Sequence, residues 1–450
     1  MIDEKEIEGL LEEGGEDESR APLILDKALG AKGLTLEEAA ILLNIKDRGL
    51  LDMLYKRAGE VKEKVFGKRV VLFAPLYLSN FCANGCLYCG FRAANTGVLR
   101  KALTADEAVK EASLLERMGF KRLLLVTGED PRWGLDYIIS SVRAIYKNTG
   151  IRIIHVNAPP MDTDALRELK ASGAGVYQSF QETYHRKTYD TMHPSGKKRD
   201  YGYRISVMDR ALTAGFQDVG IGPLLGLYDY RFDCLAAIAH SKHLYKAFGA
   251  EAHTISVPRL RPAEGYALKS VPHPVTDTEF KKIVAVFRLS VPSAGVVVST
   301  REPAGLRDGL MHIGASQLSA ASKTSPGGYA GDGLAVEQFS TNDRRTLSEV
   351  MASVVGEGFL PSLCASCYRS GRVGGTFMEK TLSGQMGKLC QANAILTLKE
   401  YIADYSKNGN REIFEKAVEI ALREMKDPAM KKAVAEKLRR LGEGQRDIFF

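Results

Sequence analysis

Short runs of apolar and β-branched residues alternate along the chain with segments whose apolar residues recur at the period of an α-helix. Eight strand-like runs are recognisable, at residues 69–79, 121–128, 151–158, 174–180, 218–225, 252–258, 295–300 and 312–316. The segment 106–118 is typical of the helices between them, with a capping box predicted at Thr104 and Glu107 and a helix end at Gly119. Strand and helix repeated eight times predict an α/β fold, a parallel (βα)8 barrel of the TIM type.

Two further regions flank the predicted barrel. Residues 1–68 predict an N-terminal helical lead-in, and the barrel itself occupies residues 69–318. Residues 319–450 begin with a stretch rich in glycine and serine, 319–338, and continue with mostly helical periodicity. We therefore expect a barrel domain between a short helical lead-in and a mostly helical C-terminal region.

Composition and charge narrow the class of protein. Hydrophobic residues make up 45% of the chain and charged residues 26%, which is typical of a globular protein. No apolar run reaches the roughly 18 residues of a membrane span, and the acidic N-terminus is unlike a signal peptide. The net charge of +7 is spread along the chain without a long Lys/Arg block. We therefore expect a cytoplasmic protein that binds neither membrane nor nucleic acid.

The seven cysteines are the most informative residues. An odd number of cysteines without a signal peptide argues against a disulfide framework. Six of them form two groups of three, and only Cys234, in a helical segment, stands alone as a predicted buried thiol. The first group is Cys82, Cys86 and Cys89, spaced C-x3-C-x2-C directly after the first predicted strand, and the second is Cys364, Cys367 and Cys390, spaced C-x2-C-x22-C.

The first triad fits an iron–sulfur cluster better than zinc. Three thiolates on one loop can bind three irons of a 4Fe–4S cluster, which usually has four cysteine ligands, and would leave one iron open. A zinc knuckle needs a fourth Cys or His nearby, and none lies within about twenty residues. The loop also follows a barrel strand, where the catalytic residues of this fold gather.

The first triad resembles the signature of the radical S-adenosylmethionine (SAM) superfamily, in which an aromatic residue, here Tyr88, precedes the last cysteine. The resemblance implies that SAM chelates the open iron and that one electron cleaves it to a 5′-deoxyadenosyl radical. It also implies a set of SAM-binding residues, which are Tyr88, Thr127, Gly128, Glu129, Asn157, Glu182 and Arg204. Considered individually, Glu182 is also consistent with an ordinary exposed carboxylate, and Arg204 with an arginine on a solvated helix face.

The chain resembles the HydG family, the tyrosine lyases that mature FeFe-hydrogenases, over about residues 60–405. The resemblance is carried by FQETYH (180–185), MHPSGKKRDYGYR (192–204), HTISVPRLRPA (253–263), STREPAGLRD (299–308) and CYRSGRVGGTFM (367–378). The sister family, 2-iminoacetate synthase of thiamine synthesis, shares the barrel and the cleavage of tyrosine but lacks the C-terminal triad. The presence of that triad therefore favours the maturase.

The HydG resemblance implies a reaction sequence. The deoxyadenosyl radical takes hydrogen from the amine of L-tyrosine, and the Cα–Cβ bond breaks to give p-cresol and dehydroglycine. The two-carbon fragment passes through the barrel to a second 4Fe–4S cluster, where it forms carbon monoxide and cyanide bound to iron for the hydrogenase H-cluster. A ferredoxin or flavodoxin as electron donor and other hydrogenase maturation proteins are the implied partners.

The same resemblance assigns residues to the substrate and to the second cluster. Arg301 and Ser299, at the end of the seventh predicted strand, match the tyrosine-binding pair. Cys364, Cys367 and Cys390 would bind the second cluster, and His253 a labile iron bridged by free L-cysteine.

Other interpretations remain open from the residues alone. Arg301 also fits an ion pair with a helix carboxylate, and His253 a hydrogen-bonded core residue. The C-terminal triad also fits a structural zinc site, either on a 2-iminoacetate synthase or as an interaction module on an unrelated barrel. A radical SAM enzyme with another substrate, such as tRNA, is a further alternative.

Overall fold

The sheet of this protein closes into a parallel barrel, which confirms the predicted (βα)8 fold. The computed structural model describes residues 2–14, 18–331, 337–406 and 409–450. The strands are β1 Arg69–Ser79, β2 Arg122–Thr127, β3 Ile153–Asn157, β4 Val176–Gln178, β5 Val219–Ile221, β6 Thr254–Ser256, β7 Gly295–Val298, β8 Gln317–Ser319 and β9 Leu360–Ser362. Strands β1 to β8 pair in chain order, and β8 pairs with β1 to close the ring.

Helices connect successive strands and cover the outside of the barrel. The helices before β1 are α1 Glu4–Glu13, α2 Ala21–Ala28, α3 Leu36–Asn44 and α4 Arg48–Phe66. Those between β1 and β8 are α5 Ala105–Met118, α6 Leu135–Asn148, α7 Thr163–Ala171, α8 Arg186–Met192, α9 Tyr201–Ile205, α10 Val207–Thr213, α11 Tyr230–Phe248, α12 Asp277–Ser290 and α13 Ala304–Ile313. Those that follow β8 are α14 Leu347–Gly356, α15 Ser366–Arg369, α16 Gly374–Leu382, α17 Gln385–Asp404, α18 Arg411–Glu424 and α19 Pro428–Gly442. Three short 3-10 helices, at Glu18–Arg20, Pro131–Trp133 and Lys197–Arg199, complete the described part of the chain.

The capping signals in the sequence predicted helix ends correctly. Thr104 and Glu107 form both hydrogen bonds of a capping box at the start of α5, and Gly119 ends that helix with φ of 108°. In the described residues no helix has the length and apolar character needed to cross a bilayer.

The prediction of the eighth strand was wrong in position. The run 312–316 was expected to form it, but α13 continues to Ile313 and β8 begins at Gln317. Leu310, Met311 and Ile313 are the buried residues at the end of α13. A run of apolar residues this short has the same appearance in a helix and in a strand, because periodicity cannot separate the two over so few positions.

The ninth strand, β9, was not predicted. It holds three residues, one of which is Pro361, and proline in a sequence argues against a strand. In the structure β9 pairs in parallel with the first three residues of β1, with Arg69 opposite Leu360. This pairing fixes the C-terminal region to the N-terminal end of β1.

Residues 332–336 of the predicted glycine- and serine-rich stretch lie outside the described residues, as do residues 1, 15–17 and 407–408 of the flanking regions.

Gly59 in α4 allows a close approach of two helices. A Cβ atom there would lie 2.3 Å from the carbonyl oxygen of His312, in α13. Alanine in place of glycine normally adds up to about 1 kcal/mol of helix stability, but overpacking against atoms that cannot move costs about 1–3 kcal/mol. We therefore expect Gly59→Ala to lower the midpoint of thermal unfolding.

Gly309 in α13 provides the matched control, because a Cβ atom there would meet no atom within 4 Å. We expect Gly309→Ala to keep or raise the unfolding midpoint. A midpoint for Gly59→Ala equal to that of Gly309→Ala would contradict the steric argument.

Candidate active site and second cysteine site

A large cavity opens at the C-terminal ends of the barrel strands. Its wall contains all the residues that the sequence assigned to the first cluster, to SAM and to tyrosine. These are Cys82, Cys86, Tyr88, Cys89, Thr127, Gly128, Glu129, Asn157, Glu182, Arg204, Ser299 and Arg301. They come from six segments of the chain, and the barrel brings them together because the carboxyl ends of its parallel strands meet at one face.

The first cysteine loop is hydrogen-bonded to the loops that follow β2 and α8. The amide of Ala83 donates to the carbonyl of Glu129 at 2.7 Å, and the amide of Gly85 donates to Ser195 at 3.1 Å. A Cβ atom on Gly128 would lie 2.2 Å from the carbonyl oxygen of Phe81. Glycine at position 128 is therefore required for the close approach of the cysteine loop to the end of β2.

Glu182 is a charged and strained residue of the cavity wall. Its φ of 74° is unusual for a residue other than glycine, and such a conformation costs of order 1–3 kcal/mol. Its carboxylate accepts from Lys198 Nζ at 2.6 Å. Burial acts to raise the pKa of Glu182, but Lys198 and Arg204 outweigh it and hold that pKa below its ordinary value. The sequence reasoning missed Lys198, although it lies inside the MHPSGKKRDYGYR motif.

The guanidinium of Arg301 has no strong hydrogen-bond partner among the described residues. In the described part of the chain it makes one long hydrogen bond, 3.5 Å from Nη1 to the carbonyl of Arg259, and its guanidinium carbon lies 3.4 Å from the ring centre of Phe339. The neighbouring Arg259 and Arg261 both pair with Glu302. Burial lowers the pKa of Arg301. Arg301 is thus a largely buried cation that faces the cavity and is free to bind an anion.

Tyr88 is held by a histidine that the sequence reasoning missed. Its hydroxyl lies 2.8 Å from His193 Nε2, and His193 Nδ1 lies 2.7 Å from the carbonyl of Tyr189. A carbonyl only accepts, so Nδ1 carries the proton and Nε2 accepts from Tyr88. Burial lowers the pKa of His193 well below its ordinary value, which keeps the ring neutral.

A second, smaller cavity lies at the opposite end of the barrel. It contains the three C-terminal cysteines and His253, together with the first residues of four strands. Its wall includes Arg69, Arg122, His253, Gly295, Gln317, Cys364, Cys367, Tyr368, Cys390 and Asn393. The β1–β9 pairing places Cys364 there, α15 carries Cys367 and α17 carries Cys390.

Cations surround the second triad. Burial raises the pKa of the Cys367 thiol to about 12, and also raises that of Cys390, while Arg69 and Arg372 act to lower both. Arg122 donates from Nη2 to the carbonyl of Cys364 at 2.8 Å. Buried thiols resist ionisation, so the cations favour the thiolate form that binds metal.

His253 bridges the barrel and the C-terminal region. Its Nε2 lies 3.0 Å from the hydroxyl of Tyr368, and its Nδ1 lies 3.3 Å from Asp218 Oδ1. Asp218 also accepts from the amide of Gly374 at 2.9 Å. The ring therefore has polar neighbours on both nitrogens and faces the second cavity. Tyr368 could have been noticed from its place directly after Cys367, whereas nothing in the sequence singles out Asp218.

The remaining thiol, Cys234, lies in α11 within the apolar core, apart from both cavities. This confirms its predicted burial. Among the described residues no three His, Cys, Asp or Glu side chains converge on one ion-sized position. The two triads are cavity walls and not closed cages around a single ion.

The two cavities adjoin inside the barrel. On β1, Val71 lines the second cavity and Phe73 lines the first. On β8, Gln317 lines the second cavity and Ser319 lines the first. Residues two apart on a strand point to the same side and are separated by about 6.6 Å. Neighbouring layers of lumen side chains thus belong to different cavities, with no further layer between them on these strands.

Two family models and a characterised enzyme match this chain over most of its length. The family model of the radical SAM superfamily matches residues 76–238, and that of the Biotin and Thiamin Synthesis associated domain matches residues 256–360. The chain is 35% identical over 340 residues to 2-iminoacetate synthase of Escherichia coli K12, covering 75% of this chain and 89% of that protein.

Two crystal structures of HydG are similar over nearly the whole chain. One, a maturase of the [FeFe]-hydrogenase, is 43% identical with a TM-score of 0.96, and the match covers 100% of this chain and 99% of that chain. The other, the FeFe-hydrogenase maturase HydG from Carboxydothermus hydrogenoformans, is 37% identical with a TM-score of 0.83 and coverage of 97% and 100%. The chain therefore belongs to the radical SAM tyrosine lyase family, the enzyme family of the HydG maturases and the 2-iminoacetate synthases.

Proposed function

We propose that this enzyme cleaves the Cα–Cβ bond of L-tyrosine to p-cresol and dehydroglycine, and converts dehydroglycine to carbon monoxide and cyanide on iron for the H-cluster of FeFe-hydrogenase. The observation that carries the proposal is the presence of a cysteine triad at each end of one barrel lumen. A ferredoxin or flavodoxin would supply electrons, and other hydrogenase maturation proteins would receive the product.

The first cavity fits a 4Fe–4S cluster and SAM. Its donor set is three thiols on one glycine-containing loop, which suits a cluster with one open iron. When bound, the cluster and SAM supply the electron and the carbon radical that begins the reaction. The carboxylates of Glu129 and Glu182 offer acceptors for the SAM ammonium, and Arg204 offers a cation for its carboxylate. Lys198 keeps Glu182 ionised for this purpose.

The substrate carboxylate would bind Arg301. A guanidinium binds a carboxylate through two parallel hydrogen bonds, and Arg301 faces the cavity with one long hydrogen bond as its contact to the part of the chain that the structure describes. Ser299 lies two residues before it on the same wall and offers a hydroxyl. An unpaired buried cation is costly, so a bound carboxylate restores the charge balance that Glu302 provides for Arg259 and Arg261.

The second cavity fits a second cluster with a further iron. Cys364, Cys367 and Cys390 would hold a 4Fe–4S cluster, and the cations around them favour their thiolates. His253 would hold a labile iron together with free L-cysteine, with Nδ1 oriented by Asp218 and with Nε2 exchanging the hydroxyl of Tyr368 for the metal. Because the two cavities adjoin, a two-carbon fragment could pass between them without entering solvent, as a reactive imine requires.

One prediction of the proposed function concerns the reaction products. We expect the anaerobically reconstituted protein to form p-cresol and carbon monoxide from tyrosine, SAM and dithionite. The double variant Cys364→Ala/Cys367→Ala should still form p-cresol and lose carbon monoxide, because only the second site is removed. Chromatography measures p-cresol, and binding to haemoglobin measures carbon monoxide.

The core thiol provides the control for this experiment. Cys234→Ala should keep both products, since Cys234 lies outside both cavities. Carbon monoxide from the double variant would overturn the role of the second triad. If the wild-type protein forms p-cresol but no carbon monoxide, the result would favour a second candidate function, that of a 2-iminoacetate synthase. The 35% identity to the Escherichia coli enzyme supports this candidate. Zinc in place of iron at the C-terminal triad would support the same alternative.

A second prediction concerns Arg301. Lysine keeps the charge but cannot form the paired hydrogen bonds of a guanidinium. We expect Arg301→Lys to lower kcat/KM for tyrosine by roughly 10–150-fold, the loss of about 1.5–3 kcal/mol that a hydrogen bond to a charged group contributes. The rate of p-cresol formation across tyrosine concentrations measures the change.

Arg261→Lys is the matched variant, because Arg261 pairs with Glu302 and does not line the cavity. We expect it to keep kcat/KM close to the wild-type value. An unchanged KM for tyrosine in Arg301→Lys would contradict carboxylate binding at this residue.

A further inference from the structure

Arg100 lies just beyond the first cysteine loop, and its guanidinium donates to four backbone carbonyls. Nη1 donates to Asn80 at 2.6 Å and to Phe91 at 2.8 Å. Nη2 donates to Arg92 at 2.7 Å and to Asn95 at 3.1 Å. This one side chain therefore satisfies four carbonyl groups of an irregular loop.

These carbonyls lie on both sides of the three cysteines. Asn80 precedes Cys82 by two residues, and the other three acceptors follow Cys89. The guanidinium thus ties the beginning of the cysteine loop to its end. The planar, five-donor group of arginine can reach several carbonyls at once, which the ammonium of lysine cannot match.

Arg100 also places a positive charge near the thiols. Its four acceptors are neutral carbonyls, and two of them, those of Asn80 and Phe91, lie two residues from Cys82 and Cys89. The nearby carboxylate of Asp130 is itself paired with Arg132. Burial lowers the pKa of Arg100, and the nearby Cys82, Cys89 and Asp130 act to raise it.

We propose that Arg100 is a positioning residue of the first cysteine site, which holds the loop closed around the three thiols and raises the reduction potential of an iron–sulfur cluster bound there. A cluster gains a negative charge on reduction, so a nearby cation stabilises its reduced form. The inference rests on the proposed function, because it requires a cluster at the first triad.

The test uses the full-length chain with Cys364→Ala and Cys367→Ala, which leaves a single cluster to observe. Arg100→Lys keeps the charge and loses the four-carbonyl contact, whereas Arg100→Gln loses both. Arg117→Gln, on the exposed last turn of α5, is the control for loss of one charge. Each protein is reconstituted with iron and sulfide, and the rate of iron loss to a chelator and the midpoint potential from a redox titration followed by EPR are measured.

We expect iron loss about 10-fold faster in both Arg100 variants, the lower end of the ~10–100-fold contribution of outer-shell partners to metal affinity. The midpoint potential of the clusters that remain should become more negative in Arg100→Gln and stay near the parent value in Arg100→Lys. Arg117→Gln should match the parent in both measurements.

Two results would overturn the proposal on Arg100. If both variants lose iron at the parent rate, Arg100 does not hold the loop closed around the thiols. If the midpoint potential of Arg100→Gln equals that of the parent, the charge of Arg100 does not raise the reduction potential. The potential is read from loaded protein, so a low yield of cluster does not obscure it. A parent protein that binds no iron–sulfur cluster would instead overturn the proposed function itself.

Discussion

Strand β1 is the constraint on which the rest of the molecule depends, because it is hydrogen-bonded to three other strands. It pairs with β2 and β8 within the barrel and with β9 outside it. All eleven of its residues are buried. Its C-terminal end leads directly into the loop of Cys82, and its first residue, Arg69, lies among the C-terminal cysteines. A single rigid element therefore sets the relative position of the two cysteine sites.

Electrostatics follows a common principle at both ends of the barrel. Thiols and carboxylates removed from water favour their neutral forms, and a nearby guanidinium or ammonium opposes that preference. Lys198 and Arg204 outweigh burial and lower the pKa of Glu182, whereas Arg69 only partly offsets burial at Cys390, whose pKa stays raised. Cations without a carboxylate partner are costly to bury, so such a site gains stability when an anionic group binds.

Much of the first site was predictable because its residues lie close to strand ends. The eight runs predicted a barrel, and the barrel rule places residues that follow its strands at one face. This is why Thr127, Asn157 and Ser299 meet the cysteine loop in one cavity. Lys198 lies in a single-turn 3-10 helix and Phe339 in an irregular segment, and sequence periodicity carries no information about where such short connections fold back.

The second site depended on contacts that sequence patterns do not encode. The cysteine spacing identified three of its residues, but their closeness to His253 results from β9, a strand of three residues that contains a proline. The shift of β8 had a similar cause, since a short apolar run fits the end of a helix as well as a strand. Packing between distant segments decided both cases.

The β1–β9 pairing also orders events during folding. The first triad spans eight residues of one loop, so its thiols are neighbours before any tertiary structure forms. The second triad depends on a strand pair whose members are almost three hundred residues apart in the chain. Pairings of such long range form late, because the entropy of closing the intervening chain is lost before their contacts can compensate for it. Iron can therefore reach the three thiols of the second triad as a set only once the distant strand β9 has paired with β1.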